Sequence, residues 1–444
     1  MTSLKHRIKV PSRRSPPSAR SLALECLTAV LGQGRDVQEA LSAVLESRPL
    51  DPRDKGLATE LCYGYLRLKG RLDYVVQQFL RAPEKLPPEL LCTLGVAAYE
   101  LFYLDRVPAY ATLDWAVDLA RAQFGEQLSR LANGVLRKLE AEKEAALDIG
   151  YYRRQGEPES LVLARYYACP EWLVKLWRKS YGPERTLCYL KASAVPPLLG
   201  LRVNQRHADA TALVERLAGH PACVARIEYG FAFPAGELEG LDADIKGGAL
   251  SRQSLAAQET LAQLDPDGWR PPVWDSCAGR GGKACLLLER GLSPLWASDL
   301  SLARLKGLKR ELKRLGLPVI LVFRAAGHRP APLKTRPRTV LLDVPCSGLG
   351  VLARRPDSKW RRTPRDLEIL ARTQAGLLAQ GFQALAPGGA LHYITCTLNP
   401  EENERQIERF LASAGPKATL EQQWSTPPDR HWGEFFWAAT IVKR

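Results

Sequence analysis

The stretch VWDSCAGRGGKACLLLE, Val273 to Glu289, contains the pattern that decides the fold of its part of the chain. A short apolar segment ends in Asp275, three glycines follow at positions 279, 281 and 282, and a helical pattern then begins. Glycine lets the backbone of such a turn approach a ligand closely, and the first turn of the helix presents free N–H groups. The order strand, glycine turn, helix therefore predicts a loop that binds a nucleoside cofactor.

Downstream of this loop, apolar segments alternate with helical ones, as in a doubly wound sheet. The expected strands are PVWDSC, LWASDL, VILVFR, TVLLDV and ALHYITC. Ligands of such sheets bind beyond the carboxyl ends of the strands. The polar residues at those ends are Asp275, Asp299, Asp343 and Cys396. We therefore predict a Rossmann-like α/β domain over residues 250–444, with its site at this edge.

The loop alone does not identify the cofactor. Gly279, Gly281 and Ala284 satisfy G-x-G-x-x-A, the fingerprint of dinucleotide binding, and Asp299 follows at a distance suited to ribose hydroxyls. This arrangement serves NAD and S-adenosylmethionine equally well. A dehydrogenase and a methyltransferase are therefore both compatible with this part of the chain.

The composition favours a polyanionic partner. The 444 residues contain 63 Lys and Arg against 48 Asp and Glu, which gives a formal charge of +15, and 45% of them are hydrophobic. A chain of this length is expected to fold as two or three domains, and its positive excess favours nucleic acid or an anionic membrane surface. Because the sequence contains no run of about 18 apolar residues, we predict no membrane span.

Ten cysteines are scattered along the chain without a CxxC pair, and no apolar signal sequence is present. This pattern favours reduced thiols in a cytoplasmic protein and gives no support for a metal site. Residues 1–17 are basic and contain neither Asp nor Glu. They indicate a solvated flexible arm, and a transit peptide is the alternative.

Residues 18–148 have apolar residues at helical spacing, with Asp36, Asp51 and Thr112 as expected helix caps. Two segments, LDPRDKGLATELCYGYLR and YELFYLDRVPAYATLDWAVDLAR, resemble the RNA-binding NusB-type helical domain. A plain structural bundle has the same periodicity and remains the alternative. We therefore expect an all-α domain over residues 18–148.

Residues 149–249 mix helical segments with the β-like segments LLGLRVNQ and VARIEYGFAF. This mixture predicts a small α+β domain of the RRM type. Arg202 lies on the first of these segments and is a candidate for contact with an RNA phosphate or sugar, although a polar residue on a strand is more often simply exposed.

Two further segments identify a family. They are LLDVPCSGLGVLARRPDSKW, residues 341–360, and ALAPGGALHYITCTLNPEENERQIERFL, residues 384–411. Together with CAGRGGK, LLGLRVN and the terminal GEFFWAAT, they resemble the Sun/Nop family of RNA cytosine-C5 methyltransferases, and within it the branch that acts on bacterial 16S rRNA. The resemblance covers nearly the whole chain. It implies a monomer that transfers a methyl group from S-adenosylmethionine to C5 of a cytosine in RNA, with 16S rRNA as the expected substrate.

Two thiols suit this chemistry. C5 of cytosine is a poor nucleophile until a thiolate adds to C6, and the thiol must afterwards be expelled. In the family, the cysteine of T-C-[ST] attacks and that of P-C-S-G assists release, which implies these roles for Cys396 and Cys346. DNA cytosine methyltransferases attack from a Pro-Cys motif instead, which would nominate Cys346. The second thiol and the Ser347, Gly348 continuation favour the RNA pattern.

Asp343 and Lys283 complete the expected catalytic group. A carboxyl group near N3 of the ring would favour the addition by sharing a proton, which suits Asp343, and a nearby cation would favour the thiolate, which suits Lys283. The cofactor is expected to contact Cys277, Ala278, Gly279, Arg280, Gly281, Gly282, Lys283, Asp299 and Asp343.

The chain departs from the family pattern in the cofactor loop, after the third strand and before the catalytic domain. The residues at these places are Gly279 and Arg280, Ala325 and Ala326, and Gln253 and Ser254. The alanines stand where the family has an aspartate that approaches the adenine end of the cofactor. We expect weaker cofactor binding, and a non-catalytic RNA-binding or assembly factor with a degraded cofactor pocket is the alternative function.

Two basic segments are candidates for RNA contact. RLKGLKRELKR, residues 304–314, is equally typical of a solvated helix face. ARRPDSKWRRTPR, residues 353–365, follows Cys346 and resembles a segment beside the substrate cleft of the family. From it we predict RNA contacts by Arg354, Arg355, Lys359 and Trp360. The target base must be unpaired or flipped out to reach a thiol.

Overall fold

A computed structural model describes residues 18–48, 50–236, 238, 240–430 and 432–444, so the predicted basic arm lies outside the described residues. The helices are α1 (Ala19–Gln33), α2 (Val37–Glu46), α3 (Pro52–Gln77), α4 (Pro88–Tyr103), α5 (Ala109–Phe124), α6 (Glu126–Ala141), α7 (Lys143–Leu147), α8 (Glu159–Tyr166), α9 (Glu171–Ala194), α10 (Ala210–Ala218), α11 (Leu241–Gly247), α12 (Leu255–Ala262), α13 (Gly282–Glu289), α14 (Leu302–Arg314), α15 (Ser358–Arg361), α16 (Pro364–Ala384) and α17 (Glu404–Ala414). The strands are β1 (Leu199–Val203), β2 (Ala225–Ile227), β3 (Gly230–Phe233), β4 (Leu250–Arg252), β5 (Val273–Asp275), β6 (Leu295–Asp299), β7 (Leu321–Arg324), β8 (Thr339–Asp343), β9 (Ala390–Thr395), β10 (Ala418–Ser425) and β11 (Trp437–Lys443).

The chain forms two compact units, and the first contains residues 18–195 and 355–361. Its elements are helical, as predicted for residues 18–148. Asp36 and Asp51 cap α2 and α3, because their carboxylates accept backbone N–H groups of the first turn. Thr112 lies inside α5, so its predicted role as a cap was wrong. Its hydroxyl donates instead to Glu100, at 3.1 Å.

Glu100 is a carboxylate inside the apolar core of this helical unit, and its side chain is fully buried. Arg20 donates to it at 2.7 Å and the indole of Trp115 donates at 2.6 Å. A buried charge is tolerated when it is paired and hydrogen-bonded in this way. The contact fixes α1, α4 and α5 to one another.

Residues 355–361 belong to this helical unit although they follow β8 in the sequence. Lys359 is 1% exposed and donates to the carbonyl of Arg67 at 2.7 Å. The indole of Trp360 donates to the carbonyl of Leu66 at 2.7 Å and its ring packs against the helical core. The prediction that Lys359 contacts RNA was therefore wrong, because α3 occupies its ammonium group. The ring of Trp360 is half-buried, and its contact with RNA stays a prediction.

The second unit contains residues 196–354 and 362–444. Its smaller sheet has the antiparallel order β2-β3-β1-β4. The segment predicted as one small domain, 149–249, is thus divided. Its helices up to residue 195 cluster with the first unit and its strands with the second.

Arg202 lies on β1 and is almost completely buried. Its guanidinium donates to Glu289 at 2.7 Å and to the carbonyl of Gly282 at 3.0 Å, and the side chain is 3% exposed. Arg202 is therefore not available to RNA, and that prediction was wrong. The ion pair instead fixes α13, the helix that follows the cofactor loop.

The larger sheet has the order β10-β11-β9-β8-β5-β6-β7. The strands from β9 to β7 are parallel, which confirms the predicted α/β domain, whereas β10 and β11 pair antiparallel at one end. Side chains of β8 alternate between two apolar cores, with Leu341 in one and Val340 and Leu342 in the other. Because the sheet is covered on both faces, its carboxyl edge is the place where polar side chains meet.

Candidate active site

The loop between β5 and α13 is held by Asp299 at the end of β6. The two carboxylate oxygens of Asp299 accept the N–H of Gly279 at 3.0 Å and that of Ser301 at 2.8 Å. Gly281 has φ +89°, and a Cβ on it would lie 2.1 Å from Cδ1 of Leu308, so only glycine fits. Each oxygen of Asp299 retains a further lone pair, and its contact with ribose hydroxyls stays a prediction.

Asp275, at the end of β5, is buried and its Oδ1 has no hydrogen-bond partner among the described residues. Burial, together with the charge of Asp343, raises the pKa of Asp275 to about 8. A buried polar atom without a protein partner is typical of a position that a ligand or water completes. Oδ1 suits a hydrogen-bond donor such as the ammonium group of S-adenosylmethionine, so the residues at this edge fit that cofactor.

Cys346 and Cys396 lie next to each other although 50 residues separate them. Their Sγ atoms are 3.2 Å apart, and the N–H of Cys396 donates to Sγ of Cys346 at 3.4 Å. Both thiols are free and half-buried. The hydrogen bond with Cys396, then burial, raise the pKa of Cys346 well above its ordinary value. Either sulfur can be the donor in the contact between the two thiols.

Lys283 and Asp343 form an ion pair beside the thiols, with 2.6 Å between Nζ and Oδ2. Burial alone would lower the pKa of Lys283, but Asp343 outweighs it, and charge on Cys396 acts in the same direction, so that the pKa is raised. The ammonium also lies 5.7 Å from the ring centre of Phe436. The Asp343 side chain is 36% exposed and so remains reachable by a substrate.

Glu402 joins the two cysteine loops and was missed as a site residue. It is fully buried, and its carboxylate accepts the N–H of Ser347 at 2.9 Å, the amide of Gln374 at 2.8 Å and the amide of Asn399 at 3.0 Å. The hydroxyl of Ser347 also donates to it. Ser347 follows Cys346, and Asn399 lies three residues after Cys396. One carboxylate thus fixes the relative position of both thiols.

Gly350 forms a second connection between these loops. Its N–H donates to the carbonyl of Cys396 at 3.0 Å, and its own carbonyl accepts the N–H of Phe435 at 2.8 Å. A Cβ at position 350 would lie 2.1 Å from the carbonyl oxygen of Phe435. The last glycine of PCSGLG is therefore required by close backbone approach.

The remaining predicted cofactor residues lie in the loop as expected from the sequence. Burial, with the charge of Asp275 next, raises the pKa of the Cys277 thiol, so its side chain is unreactive. Ala278 donates its N–H to Ser298 at 2.9 Å. The side chain of Arg280 is exposed. Cofactor contacts by these residues, including Gly282, stay predictions.

The structure shows the contacts of some of the positions that depart from the family pattern. Ser254 caps α12 by accepting the N–H of Ala257 at 3.3 Å. Ala325 donates its N–H to the carbonyl of Asp299 at 3.3 Å, while its methyl group and that of Ala326 provide no polar atom. The end of β7 can therefore offer only backbone groups at these two positions.

Within the described ranges, no group of three or more His, Cys, Asp or Glu residues could hold a metal ion. None of the described helices combines the length and the apolar composition that a bilayer crossing needs.

Comparisons with known proteins agree with this geometry. The profile of the family "16S rRNA methyltransferase RsmB/F" matches residues 261–437, that of the NusB family residues 17–141, and that of an RsmF/B-like ferredoxin-like domain residues 169–229. A probable ribosomal RNA small subunit methyltransferase B from Synechocystis sp. is 33% identical over 427 residues, 92% of each chain. Its counterpart from Bacillus subtilis is 30% identical over 401 residues, 89% of this chain and 88% of the relative. The crystal structure of PH0851 has the same fold, with a TM-score of 0.75 over 97% of this chain and 99% of that chain at 22% identity.

Proposed function

This chain belongs to the 16S rRNA methyltransferase RsmB/F family, and we propose that it methylates C5 of a cytosine in 16S rRNA through a covalent adduct with Cys396. The family assignment makes it an S-adenosylmethionine-dependent RNA methyltransferase and confirms the resemblance found in the sequence. The position of the methyl group, the covalent adduct and the roles of individual residues are the proposal.

One observation supports the assignment of the two thiols most directly. Charge on Cys396 acts to raise the pKa of Lys283, so this lysine lies close to Cys396, and the sulfur of Cys346 lies 3.2 Å from that of Cys396. A nearby cation stabilises a thiolate, and the thiolate is the nucleophile. This arrangement favours Cys396 as the attacking residue and Cys346 as its partner.

In the proposed reaction, the Cys396 thiolate forms a bond to C6 of the flipped cytosine, and the electron pair of the C5–C6 double bond moves toward C5 and N3. Asp343 shares a proton at N3 and so offsets the developing charge, while Lys283 holds the carboxylate and faces Cys396. S-adenosylmethionine, when bound, supplies the methyl group to C5. The C5 proton then leaves to a base, the C6–S bond breaks, and Cys346 donates a hydrogen bond to the departing sulfur.

Substitution of each cysteine tests the assignment. Cys346→Ala should accumulate a covalent RNA adduct that survives denaturation, whereas Cys396→Ala should give neither adduct nor methylation. Cys223→Ala, which removes a half-buried thiol of the small sheet, is the matched control and should behave as the wild type. An adduct that forms in Cys396→Ala but not in Cys346→Ala would reverse the two roles.

The second candidate function is a non-catalytic RNA-binding or assembly factor. The observation that favours it is the end of β7, where Ala325 and Ala326 replace the aspartate expected near the adenine. Calorimetric titration with S-adenosylmethionine and bisulfite mapping of unmodified 16S rRNA after reaction distinguish the two functions. Absence of both cofactor binding and methylation would favour the assembly factor.

The expected monomeric state, cytoplasmic location, lack of membrane contact and lack of a metal stay predictions of the sequence. Sedimentation of the purified protein tests the monomeric state, and activity in the presence of a chelator tests the lack of a metal. Loss of activity with the chelator, restored by a divalent cation, would contradict the expected lack of a metal.

A further inference from the structure

The helix α14 carries one face of cations that are not used in the fold. Its apolar face is buried through Leu305, Leu308 and Leu312. The exposed cations are Arg304, Lys306, Lys309, Arg310 and Lys313. We call these five residues and Arg280 the α14 basic face. In the part of the chain that the structure describes, none of the six forms an ion pair with a carboxylate.

The remaining cation of the helix differs in this respect. Arg314 pairs with Glu311 at 2.6 Å and donates to the carbonyl of Leu250 at 2.9 Å and to the hydroxyl of Ser251 at 2.9 Å. Arg314 is therefore structural. Arg314 thus has its partners within the fold, whereas the other cations of the helix have no carboxylate partner among the residues that the structure describes.

Arg280 extends this face to the cofactor loop. Its Cγ lies 3.5 Å from the position that a Cβ on Gly307 would occupy, so its stem rests on the helix where no side chain intervenes. Gly307 lies between Arg304 and Arg310 at helical spacing, which places three guanidinium groups along one row. The row begins beside the loop that follows β5, at the edge where the thiols lie.

We infer that the α14 basic face binds the phosphate backbone of the RNA substrate next to the reacting nucleotide. The inference rests on the proposed function in that RNA is the polyanion concerned. From Arg304 to Lys313 the helix rises roughly 13 Å, which is long enough to follow a strand beyond the target base. No aromatic residue lies among these cations, so the contact is to phosphate and not to bases, and it is independent of sequence.

RNA is favoured over an anionic membrane because the apolar face of α14 is already buried in the protein. A helix that lies in a bilayer surface inserts an exposed apolar face opposite its cations. Here Leu305, Leu308 and Leu312 are buried in the core beside the sheet. Leu302, at the start of α14, is largely exposed, and a single leucine does not form an apolar face.

The triple variant Lys306→Gln, Lys309→Gln, Lys313→Gln tests the inference in the full-length protein. The matched control is Lys175→Gln, Lys179→Gln, Lys191→Gln on α9, which removes the same charge from exposed positions elsewhere. The probe is an unmodified fragment of 16S rRNA, and its Kd is measured by fluorescence anisotropy over a range of salt concentrations. Phosphatidylserine vesicles are tested in parallel.

We expect the triple variant to bind the RNA roughly tenfold more weakly than the control does, with a salt slope of log Kd shallower by about 2. KM for RNA should rise while kcat stays within about twofold. Replacement of the same lysines by arginine should retain the affinity because it retains the charge, and the nearly unchanged kcat of the glutamine variant excludes misfolding as the cause of its loss. Vesicles should bind neither protein.

An equal Kd and salt slope in the triple variant and the control would overturn the inference. So would vesicle binding that the triple variant loses while its RNA affinity stays unchanged. Because binding is measured without turnover, this result is separate from the proposed function, which fails only if the wild-type protein does not methylate C5 of its RNA.

Discussion

Two basic segments of this chain have similar compositions and different surroundings in the fold. In residues 304–314, five cations of α14 are exposed, and among the described residues only Arg314 has a carboxylate partner. In residues 354–361, Arg354 pairs with Glu434, Arg355 with Asp36 and Arg361 with Asp357. Lys359 is buried on a backbone carbonyl. The segment that the sequence favoured for RNA binding is therefore largely occupied by the protein itself.

This difference shows that a run of basic residues in a sequence does not by itself form a basic surface in the folded protein. A cation contributes to nucleic-acid binding only if the fold leaves it exposed and without a carboxylate, and both conditions depend on residues distant in sequence. Asp36 and Glu434 lie more than 70 residues from the cations that they neutralise. Substitutions in residues 354–361 should therefore affect stability, whereas those in α14 should affect binding.

Lys359→Met should give the largest effect, visible in the pH dependence of stability. Burial lowers the pKa of Lys359 from its ordinary value of 10.5 to about 8. Between these values the unfolded chain binds the extra proton, so the wild type gains stability as the pH rises. The free energy of unfolding of the wild type, relative to Lys359→Met, should rise by about 2.5 kcal/mol between about pH 7 and pH 10.

The measurement is urea denaturation of both proteins at several pH values. Lys309→Met is the control, since it removes the same charge from an exposed position on α14. If the difference in free energy of unfolding between the wild type and Lys359→Met stayed constant across this pH range, the pKa of Lys359 would not be lowered by burial. The contrast between residues 354–361 and α14 would then lose its main support.

Arg354→Ala should destabilise the second unit by about 2 kcal/mol. Its guanidinium pairs with Glu434, whose side chain is 2% exposed, and donates to the carbonyl of Leu198 at 3.0 Å. Removal leaves a buried carboxylate without its cation, which costs more than the loss of a surface pair, although the 41% exposure of Arg354 limits the effect. Chemical denaturation measures the change. Weaker RNA binding at unchanged stability would instead restore the predicted RNA contact of Arg354.

Arg355→Ala should give the smallest effect, below about 1 kcal/mol. Its pair with Asp36, at 3.0 Å, joins two partly exposed side chains, and such pairs contribute little. The same denaturation series measures it. If Arg355→Ala weakened RNA binding as strongly as the α14 triple variant, the two segments would share one function and the contrast between them would disappear.

Much of the fold was predictable because it depends on local patterns. The strands β5 to β9 are short apolar segments bounded by turns, and the helices of the first unit have apolar residues at helical spacing. The strands β10 and β11 were not predicted from periodicity. Their part of the chain was recognised only through GEFFWAAT, and their pairing beside β9 is a long-range contact.

The part of the site that depends on local patterns was also predictable. Asp275, Asp299, Asp343 and Cys396 could be placed at one edge because parallel strands align their carboxyl ends. Glu402 could not be identified as a connecting residue, since its partners Ser347 and Gln374 come from other elements. In the segment PEENE, no local feature distinguishes the buried Glu402 from Glu401 and Glu404, which are half-buried.

The sequence by itself determined the chemistry that this protein can perform, because thiols, glycine turns and the carboxylates at strand ends are fixed by local spacing. Only the tertiary structure decided how these groups act on one another: which thiol lies close to Lys283, which carboxylate connects the two cysteine loops, and which cations have no carboxylate partner among the described residues. The physical reason is that burial, proton affinity and ion pairing depend on the distances between side chains that the chain brings together from remote positions.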